Sequence, residues 1–242
     1  MRGARAALVF LTRLPGGQLE SPDFARAPGW FGVVGLGSGV ALAGVWTLAS
    51  LVWPPLVAAL ATVAAGLLLT GALHEDGLAD TFDGLGAQRT RERALEILRD
   101  SRIGTYGALA LGMGLATRVA ALVALGPVVP VALIAGQGLS RVAMTLALRR
   151  GPYLRAAGAG SGMTGPLGTG RWPLLAATLV ALALGLWGLG GALIGGLIGL
   201  TLATLMLRHW ALRRLGGITG DILGAIQVLG DLGFVLGVLA WG

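Results

Sequence analysis

Residues 106–125 read YGALALGMGLATRVAALVAL, and residues 128–148 read VVPVALIAGQGLSRVAMTLAL. Each stretch holds a single charged side chain, Arg118 in the first and Arg141 in the second. A helix needs about 20 mostly apolar residues to cross the hydrocarbon core of a bilayer, and both stretches meet that length. They therefore predict two transmembrane helices in succession.

Five further runs of the same kind extend this pattern over most of the chain. With 55% hydrophobic and 12% charged residues, the chain has too few polar side chains to cover a soluble globule of its size. We therefore predict a single integral-membrane domain, residues 1–242, of the all-α class with about seven transmembrane helices and the lipid bilayer as its solvent. The additional spans are predicted near Trp30–Val52, Pro55–Leu73, Trp172–Gly188, Gly190–Leu207 and Ile222–Ala240.

Three shorter features accompany the spans. Ala4–Leu14 is amphipathic and is followed by Pro15, which predicts an N-terminal helix lying along the membrane interface. Arg91–Arg99 alternates charged and apolar residues at helical spacing, which predicts a short cytoplasmic surface helix. Gly191, Gly195 and Gly199 recur every four residues and predict a close helix-to-helix contact inside the membrane.

The arginines predict how the spans are oriented. The chain has 18 arginines, no lysine and a net charge of +7. Apart from the two inside spans, the arginines lie in alternate connections, starting with the segment before the first span. This is the positive-inside distribution, so we predict a multi-pass protein of the bacterial inner (cytoplasmic) membrane with a cytoplasmic N-terminus, and no nucleic-acid partner. The acidic residues between Glu75 and Asp100, and with them the active site, are then predicted to face the cytoplasm. The absence of cysteine excludes disulfides and thiolate metal sites.

The segment HEDGLADTFDG, residues 74–84, carries the densest group of acidic side chains. If the helix of the second span continues through it, Asp76, Asp80 and Asp83 lie within about 60° of one another over a rise of about 10 Å. Such close like charges favour a divalent cation between them, and ligands that are all oxygen favour Mg²⁺, with Mn²⁺ as an alternative. His74 points about 200° away from Asp76 on the same helix and is not expected to be a ligand.

Glycines and two further charged residues extend this candidate site. Gly77 and Gly84 each follow an aspartate and cost helix stability, so we predict that something, such as a metal-bridged phosphate, approaches the backbone there. Arg102 is a candidate phosphate clamp, with Gly104 giving the phosphate room, or it is an arginine that only sets the topology. Asp221 serves as the N-cap of the last span or completes the metal site.

Charged residues inside the spans predict a buried pair. Arg141 is paired with Asp231 in this prediction, because ionisable groups in a membrane are costly unless they meet inside the helix bundle.

The acidic cluster of residues 74–84 has two simpler interpretations than a metal site. It is a solvated helix end, or it is the ion site of a cation-coupled transporter, although transporter sites lie near the middle of the bilayer.

The residues that make up the acidic cluster also resemble a family signature. HEDGLADTFDG looks like that of cobalamin synthase, the membrane adenosylcobinamide-GDP ribazoletransferase family, and residues 10–15 (FLTRLP), 93–107 and 216–225 look like its other blocks in the same order. The resemblance implies a magnesium-dependent transfer of adenosylcobinamide phosphate from adenosylcobinamide-GDP to α-ribazole or its 5′-phosphate, with release of GMP. It implies that Asp76 is the essential aspartate. Residues 153–170 are glycine-rich where the family leads us to expect acidic residues.

Two rival classes remain at this stage. A CDP-alcohol phosphotransferase-like enzyme also displaces a nucleoside monophosphate at Asp-Gly carboxylates, but the further spaced aspartates of that pattern are missing here. A cation-coupled transporter predicts flux without nucleotide release. An oligomer is compatible with either class and with the cobalamin synthase resemblance.

Overall fold

The structure is a computed structural model that describes residues 2–17, 23–86, 90–100, 102–154 and 161–242. These residues form helices and connections, with one isolated bridge between Tyr153 and Ile218, so the all-α prediction is confirmed. The α-helices of the described residues are α1 (Arg2–Leu11), α2 (Phe31–Ser50), α3 (Pro55–Thr70), α4 (Leu73–Gly86), α5 (Arg91–Ile97), α6 (Thr105–Leu125), α7 (Val129–Arg149), α8 (Arg171–Leu189), α9 (Ala192–Leu215) and α10 (Gly220–Trp241).

Each of the predicted spans corresponds to a helix. Five helical stretches of the described residues are long and apolar enough to cross a membrane, or six if the bent pair α3 and α4 counts as one span. One of the five, Thr105–Arg149, contains both α6 and α7. Arg118 of α6 and Gln137 of α7 donate to the same carboxylate oxygen of Asp231, although a continuous helix would separate them by about 28 Å. The two helices therefore fold back on each other, and the polytopic membrane fold is confirmed.

The connection between α3 and α4 corrects the prediction that the second span continues as one helix. Gly71 adopts a left-handed conformation (φ 63°), which ends α3, and Ala72 follows with φ 56°. After this break α4 begins at an angle of 90° to α3. The backbone N–H of Arg13 donates to the carbonyl of Leu69 at 2.7 Å, which satisfies one of the acceptors left at the end of α3. The acidic helix is therefore a separate element with its own direction.

Segments predicted to lie on the same side of the membrane meet at one end of the bundle, which we call the polar end (α4, α5 and residues 216–219). The Nε of Arg91 donates to the carbonyl of Leu215 at 2.7 Å and so caps the end of α9. Leu154 and Ile218 are joined by a backbone hydrogen bond of 2.9 Å, which ties the connection after α7 to the turn before α10. The alternation of the arginines agrees with this grouping.

Glycines let α9 and α10 pack backbone to backbone. A Cβ built on Gly233 would lie 2.5 Å from the carbonyl oxygen of Gly199, and Gly195 contacts Gly237 in the same way. The predicted close helix contact is thus confirmed for Gly195 and Gly199, whereas Gly191 has only a distant contact, at 4.0 Å from the Trp241 ring nitrogen. Because α10 also packs on α4, α6 and α7, it forms the centre that positions the other helices.

The two short helices are present as predicted. In α1, Ala6, Ala7 and Leu11 are buried, and Phe10 stacks on Phe31 with ring centroids 5.9 Å apart, so one face packs on the bundle. The position of α1 in the membrane interface stays a prediction. The second helix, α5, is capped by Thr90, whose hydroxyl accepts from the N–H of Arg93 at 3.3 Å.

Candidate functional site

The three aspartates of the acidic segment lie on one helix, as predicted. Asp76 is exposed, and Asp80 and Asp83 are half-buried. They occupy positions i, i+4 and i+7 of α4, so their backbones span a rise of about 10 Å along one side of the helix. Phe82 contacts Trp210 edge to face, with centroids 5.6 Å apart, and so fixes the middle of α4 on α9.

Asp221 lies beside the acidic helix because α4 and α10 pack in backbone contact. A Cβ on Gly77 would be 2.6 Å from the carbonyl oxygen of Asp221, and a Cβ on Gly224 would be 3.3 Å from the Cα of His74. Only residues without side chains allow two helices to approach this closely. The structure therefore places the backbone of Asp221 next to Gly77, one residue from Asp76.

The N-cap of α10 is Thr219, so the interpretation of Asp221 as the cap is wrong. The hydroxyl of Thr219 accepts from the N–H of Ile222 at 3.4 Å and lies 3.2 Å from a carboxylate oxygen of Asp221. Asp221 sits one residue inside the helix, in the first turn, where the helix dipole stabilises a carboxylate. Its side chain is half-buried and is held next to the capping hydroxyl.

Asp83 holds the start of α6. Its two carboxylate oxygens accept from the N–H of Gly104 at 2.7 Å and of Gly107 at 2.9 Å. A Cβ on Gly104 would lie 2.5 Å from this carboxylate, so the room predicted for a phosphate at Gly104 is taken by Asp83. A carboxylate at a helix N-terminus gains from both the N–H groups and the dipole. A ligand role for Asp83 stays a prediction.

The close approach predicted at the two other glycines is present, and its partner is protein. At Gly77 the partner is the backbone of Asp221, and at Gly84 a Cβ would meet Leu98 at 3.0 Å and the carbonyl of Ala94 at 3.3 Å. Helix packing thus accounts for both glycines. They no longer argue for a phosphate, and their role in substrate binding stays a prediction.

Arg102 lies exposed at the polar end and is bound to a carboxylate. Its side chain is 85% exposed, and its Nη2 and Nε donate to Asp100 at 2.6 and 3.0 Å. These hydrogen bonds lower the pKa of Asp100 to about 2 and raise the pKa of Arg102. The same two-pronged geometry suits a phosphate, and the role of Arg102 as a phosphate clamp stays a prediction.

A buried polar network lies behind the acidic helix, and its pairing differs from the prediction. Asp231 accepts from Arg118 and, at 3.0 Å, from Gln137. Arg141 instead donates to the side chain of Gln137 at 2.5 Å and to its carbonyl at 3.2 Å. The predicted Arg141–Asp231 pair is wrong because the fold-back of α6 on α7 brings Arg118 to the carboxylate first.

The network continues into α4 through two residues next to the aspartates. His74 is 2% exposed, which agrees with the expectation that it points away from Asp76. Together with Glu75 and Arg141 it lines a cavity of about 30 Å³, room for one or two water molecules. His74 Nε2 and Glu75 Oε2 are buried without a hydrogen-bond partner among the described residues, which fits bridging water. Glu75 belongs to this network although it lies in the same acidic segment as Asp76; one residue turns a helix by about 100°, and this offset is the signal that separates the two acids.

The donor set fits a magnesium ion only in part. Among the described residues, no group of three or more His, Cys, Asp or Glu side chains lies close enough to hold a metal ion, so the predicted convergence of three carboxylates is absent. Mg²⁺ is commonly held by one or two carboxylates, with waters and substrate phosphate oxygens as the other ligands. Asp76, which is exposed, and Asp80, which is half-buried, lie one helical turn apart and suit that mode. The metal site stays a prediction.

Known proteins match the chain over nearly its whole length. A family model described as cobalamin-5-phosphate synthase matches residues 3–239. The adenosylcobinamide-GDP ribazoletransferase of Bradyrhizobium diazoefficiens is 44% identical over 238 residues, which cover 96% of this chain and 91% of the relative. Proteins of the same name from Desulfitobacterium hafniense (40% identity over 244 residues, 98% and 96% coverage) and Klebsiella pneumoniae (41% over 247 residues, 97% and 98%) also match. No solved structure matches the chain.

The fold and the site define a multi-pass helical membrane protein with carboxylates at one end of the bundle. Because the family model and the relatives cover nearly the whole chain, the chain belongs to the cobalamin-5-phosphate synthase family. It is a transferase of cobalamin biosynthesis, which confirms the resemblance seen in residues 74–84. Neither the CDP-alcohol phosphotransferase class nor the transporter class is supported.

Proposed function

We propose that this protein transfers adenosylcobinamide phosphate from adenosylcobinamide-GDP to the ribose hydroxyl of α-ribazole or its 5′-phosphate, and releases GMP. The proposal rests on the family and on one structural observation. At Gly77 the backbone of α4 contacts the backbone of Asp221 in α10, one residue from Asp76, so two helices that each carry an aspartate meet at the polar end. The relatives carry the name of this activity over almost their full lengths.

The bonds exchanged define what the site must do. The ribose hydroxyl oxygen forms a bond to the phosphorus attached to cobinamide, and the bond from that phosphorus to the bridging oxygen of GMP breaks. The hydroxyl proton passes to Asp221 or to water, since a loose phosphoryl transition state does not require a strong base. The diphosphate and the aspartates bring several negative charges together, so catalysis depends mainly on positioning and charge neutralisation.

We assign metal binding and phosphate binding to different residues of the chain. Asp76 and Asp80 hold Mg²⁺, or Mn²⁺, with Asp221 and Asp83 as further ligands in our proposal. The bound ion would neutralise the diphosphate and the departing GMP. Arg102 releases Asp100 and binds a phosphate group.

The distribution of the arginines supports a proposal for the membrane in which the protein lies and for its orientation there. We propose that it is a multi-pass protein of the bacterial inner membrane, with the polar end in the cytoplasm. Because the chain has no cysteine, two single-cysteine variants test this directly. A thiol reagent that does not cross membranes should label Trp53→Cys, in the connection between α2 and α3, in intact spheroplasts. It should label Glu96→Cys on α5 only after lysis, and the reverse pattern contradicts the orientation.

The reaction is tested by GMP release from purified protein in lipid, with Mg²⁺ and both substrates, for wild type and Asp76→Asn. We expect release that requires both substrates and the metal, and a loss of about a hundredfold or more in the variant, because a metal ligand is removed. Glu96→Gln is the matched control, since this acid is 63% exposed at the same end but lies on α5. Well-folded wild type that releases no GMP with any divalent cation refutes the reaction. A control as inactive as Asp76→Asn refutes the assignment of the site.

A further inference from the structure

A groove of about 240 Å³ lies between α7 and α9, outside the site described above. Its walls are apolar along most of its length, with Leu139 and Ala143 on α7 and Leu200 on α9. One end of the groove is charged, because Arg150 and Arg208 line it there. Both arginines lie toward the polar end, since α7 ends at Arg149 and α9 at Leu215.

The length of the groove matches one leaflet of a bilayer. On α7 the lining runs from Leu139 to Arg150, a rise of about 16 Å, and on α9 from Leu200 to Arg208, a rise of about 12 Å. Half of the hydrocarbon core is about 15 Å thick. An acyl chain that lies in this groove would therefore end with its headgroup beside the two arginines.

The charged end of the groove has donors that the protein leaves unused. Arg208 Nη2 donates to the carbonyl of Arg150, which holds the two residues together. Arg208 Nε and the hydroxyl of Thr204 are buried, line the same groove and have no hydrogen-bond partner among the described residues. Thr204 is 9% exposed and lies one helical turn deeper than Arg208. Of the described residues, those that line this groove include no Asp or Glu.

We propose that the groove binds an anionic phospholipid of the leaflet at the polar end. One acyl chain lies between α7 and α9, the phosphate accepts from Arg208 and pairs with Arg150, and the hydroxyl of Thr204 donates to an ester oxygen below the headgroup. Unpaired buried donors favour a ligand that brings acceptors, and two cations without a neighbouring acid favour one that brings negative charge. The proposal does not depend on the reaction that the enzyme catalyses.

The test is native mass spectrometry of the detergent-solubilised protein, mixed with phosphatidylglycerol or with phosphatidylcholine of the same acyl chains. We expect wild type to retain phosphatidylglycerol preferentially. Arg150→Gln and Arg208→Gln should each lower its retention about fivefold, and the double variant about 25-fold, with phosphatidylcholine unchanged. The control is Arg213→Gln, an exposed arginine on α9 outside the groove. Equal retention of the two lipids, or an equal loss in the control, overturns the proposal.

A second variant tests the apolar part of the groove. Ala143→Trp places a large side chain in the groove and should displace both lipids, whereas Ala176→Trp on the exposed face of α8 should displace neither. Full lipid retention by a folded Ala143→Trp variant refutes binding of the acyl chain in this groove. If Ala143→Trp does not fold, the comparison of Arg208→Gln with Arg213→Gln decides the question alone.

Discussion

Replacing Gly77 by alanine tests whether the contact between α4 and α10 positions the active site. The added Cβ would lie 2.6 Å from the carbonyl oxygen of Asp221, 3.1 Å from its Cα and 3.2 Å from its carbonyl carbon. All three atoms belong to the backbone, so no side-chain rotation can relieve the clash. To restore an ordinary contact of about 3.4 Å, the two helices must separate locally by about 0.8 Å.

The expected effects on stability and on activity differ in size. Overpacking costs about 1–3 kcal/mol, and alanine recovers about 1 kcal/mol of helix propensity, so the net destabilisation is about 0–2 kcal/mol. A displacement of about 1 Å in a catalytic site can lower the rate about a hundredfold. We therefore expect Gly77→Ala to remain folded and to release GMP about 10- to 100-fold more slowly than wild type.

The assay combines GMP release with thermal unfolding in the same lipid or detergent. Gly112→Ala is the matched control, because this glycine lies inside α6 and a Cβ there would meet nothing within 4 Å. It should keep full activity and gain up to about 1 kcal/mol of stability. If Gly77→Ala is as active as wild type, the contact does not position the reacting groups and our account of Asp221 is wrong.

Three further predictions concern other parts of the site. Asp83→Asn should lower stability by about 1–3 kcal/mol, because the charged acceptor for the N–H of Gly104 is lost; unchanged thermal unfolding contradicts this. Asp231→Ala leaves the charge of Arg118 buried and should cost about 3–5 kcal/mol, much of which the second change Arg118→Leu recovers; additive effects in a double-mutant cycle contradict the pairing. The pKa of Asp100 is lowered to about 2, so the contribution of its carboxylate to stability is complete above its ordinary pKa of 3.8 and is lost as the pH falls toward 2. The rate of GMP release by wild type and by Asp100→Asn should therefore depend on pH in the same way between about pH 5 and 9, and a difference in the shape of the two profiles contradicts this.

The spans and the acidic helix could be predicted from sequence because their signals are local. Apolar runs of about 20 residues report transmembrane helices without knowledge of their neighbours. The spacing of Asp76, Asp80 and Asp83 likewise defines one side of a helix wherever that helix lies. The resemblance of residues 74–84 to a family signature then added a function that spacing alone does not contain.

The predictions that failed depend on contacts between distant segments. Arg141 and Asp231 are both ionisable and near mid-span, but which arginine reaches the carboxylate is decided by how α6 folds back on α7. At Gly77 and Gly84 the sequence predicts a close approach such as that of a phosphate, because it does not reveal that α10 and the end of α5 occupy those positions. The bend at Gly71 was missed for a related reason. One left-handed glycine ends a helix, yet many glycines in this chain lie inside helices.

The bend between α3 and α4 also explains how one short helix places a buried side chain in the polar network and an exposed carboxylate at the polar end. If α3 continued straight, the residues of α4 would extend about 20 Å beyond the bundle, away from α10. The 90° turn instead lays α4 against α10, so that His74 is buried in the polar network while Asp76 stays exposed. A substitution that disturbs the network therefore shifts the backbone of α4 at His74 and Glu75, and Asp76 is the next residue of that helix. This linkage predicts that substitutions at Asp231 lower activity as well as stability, although Asp231 is fully buried and Asp76 is exposed to solvent.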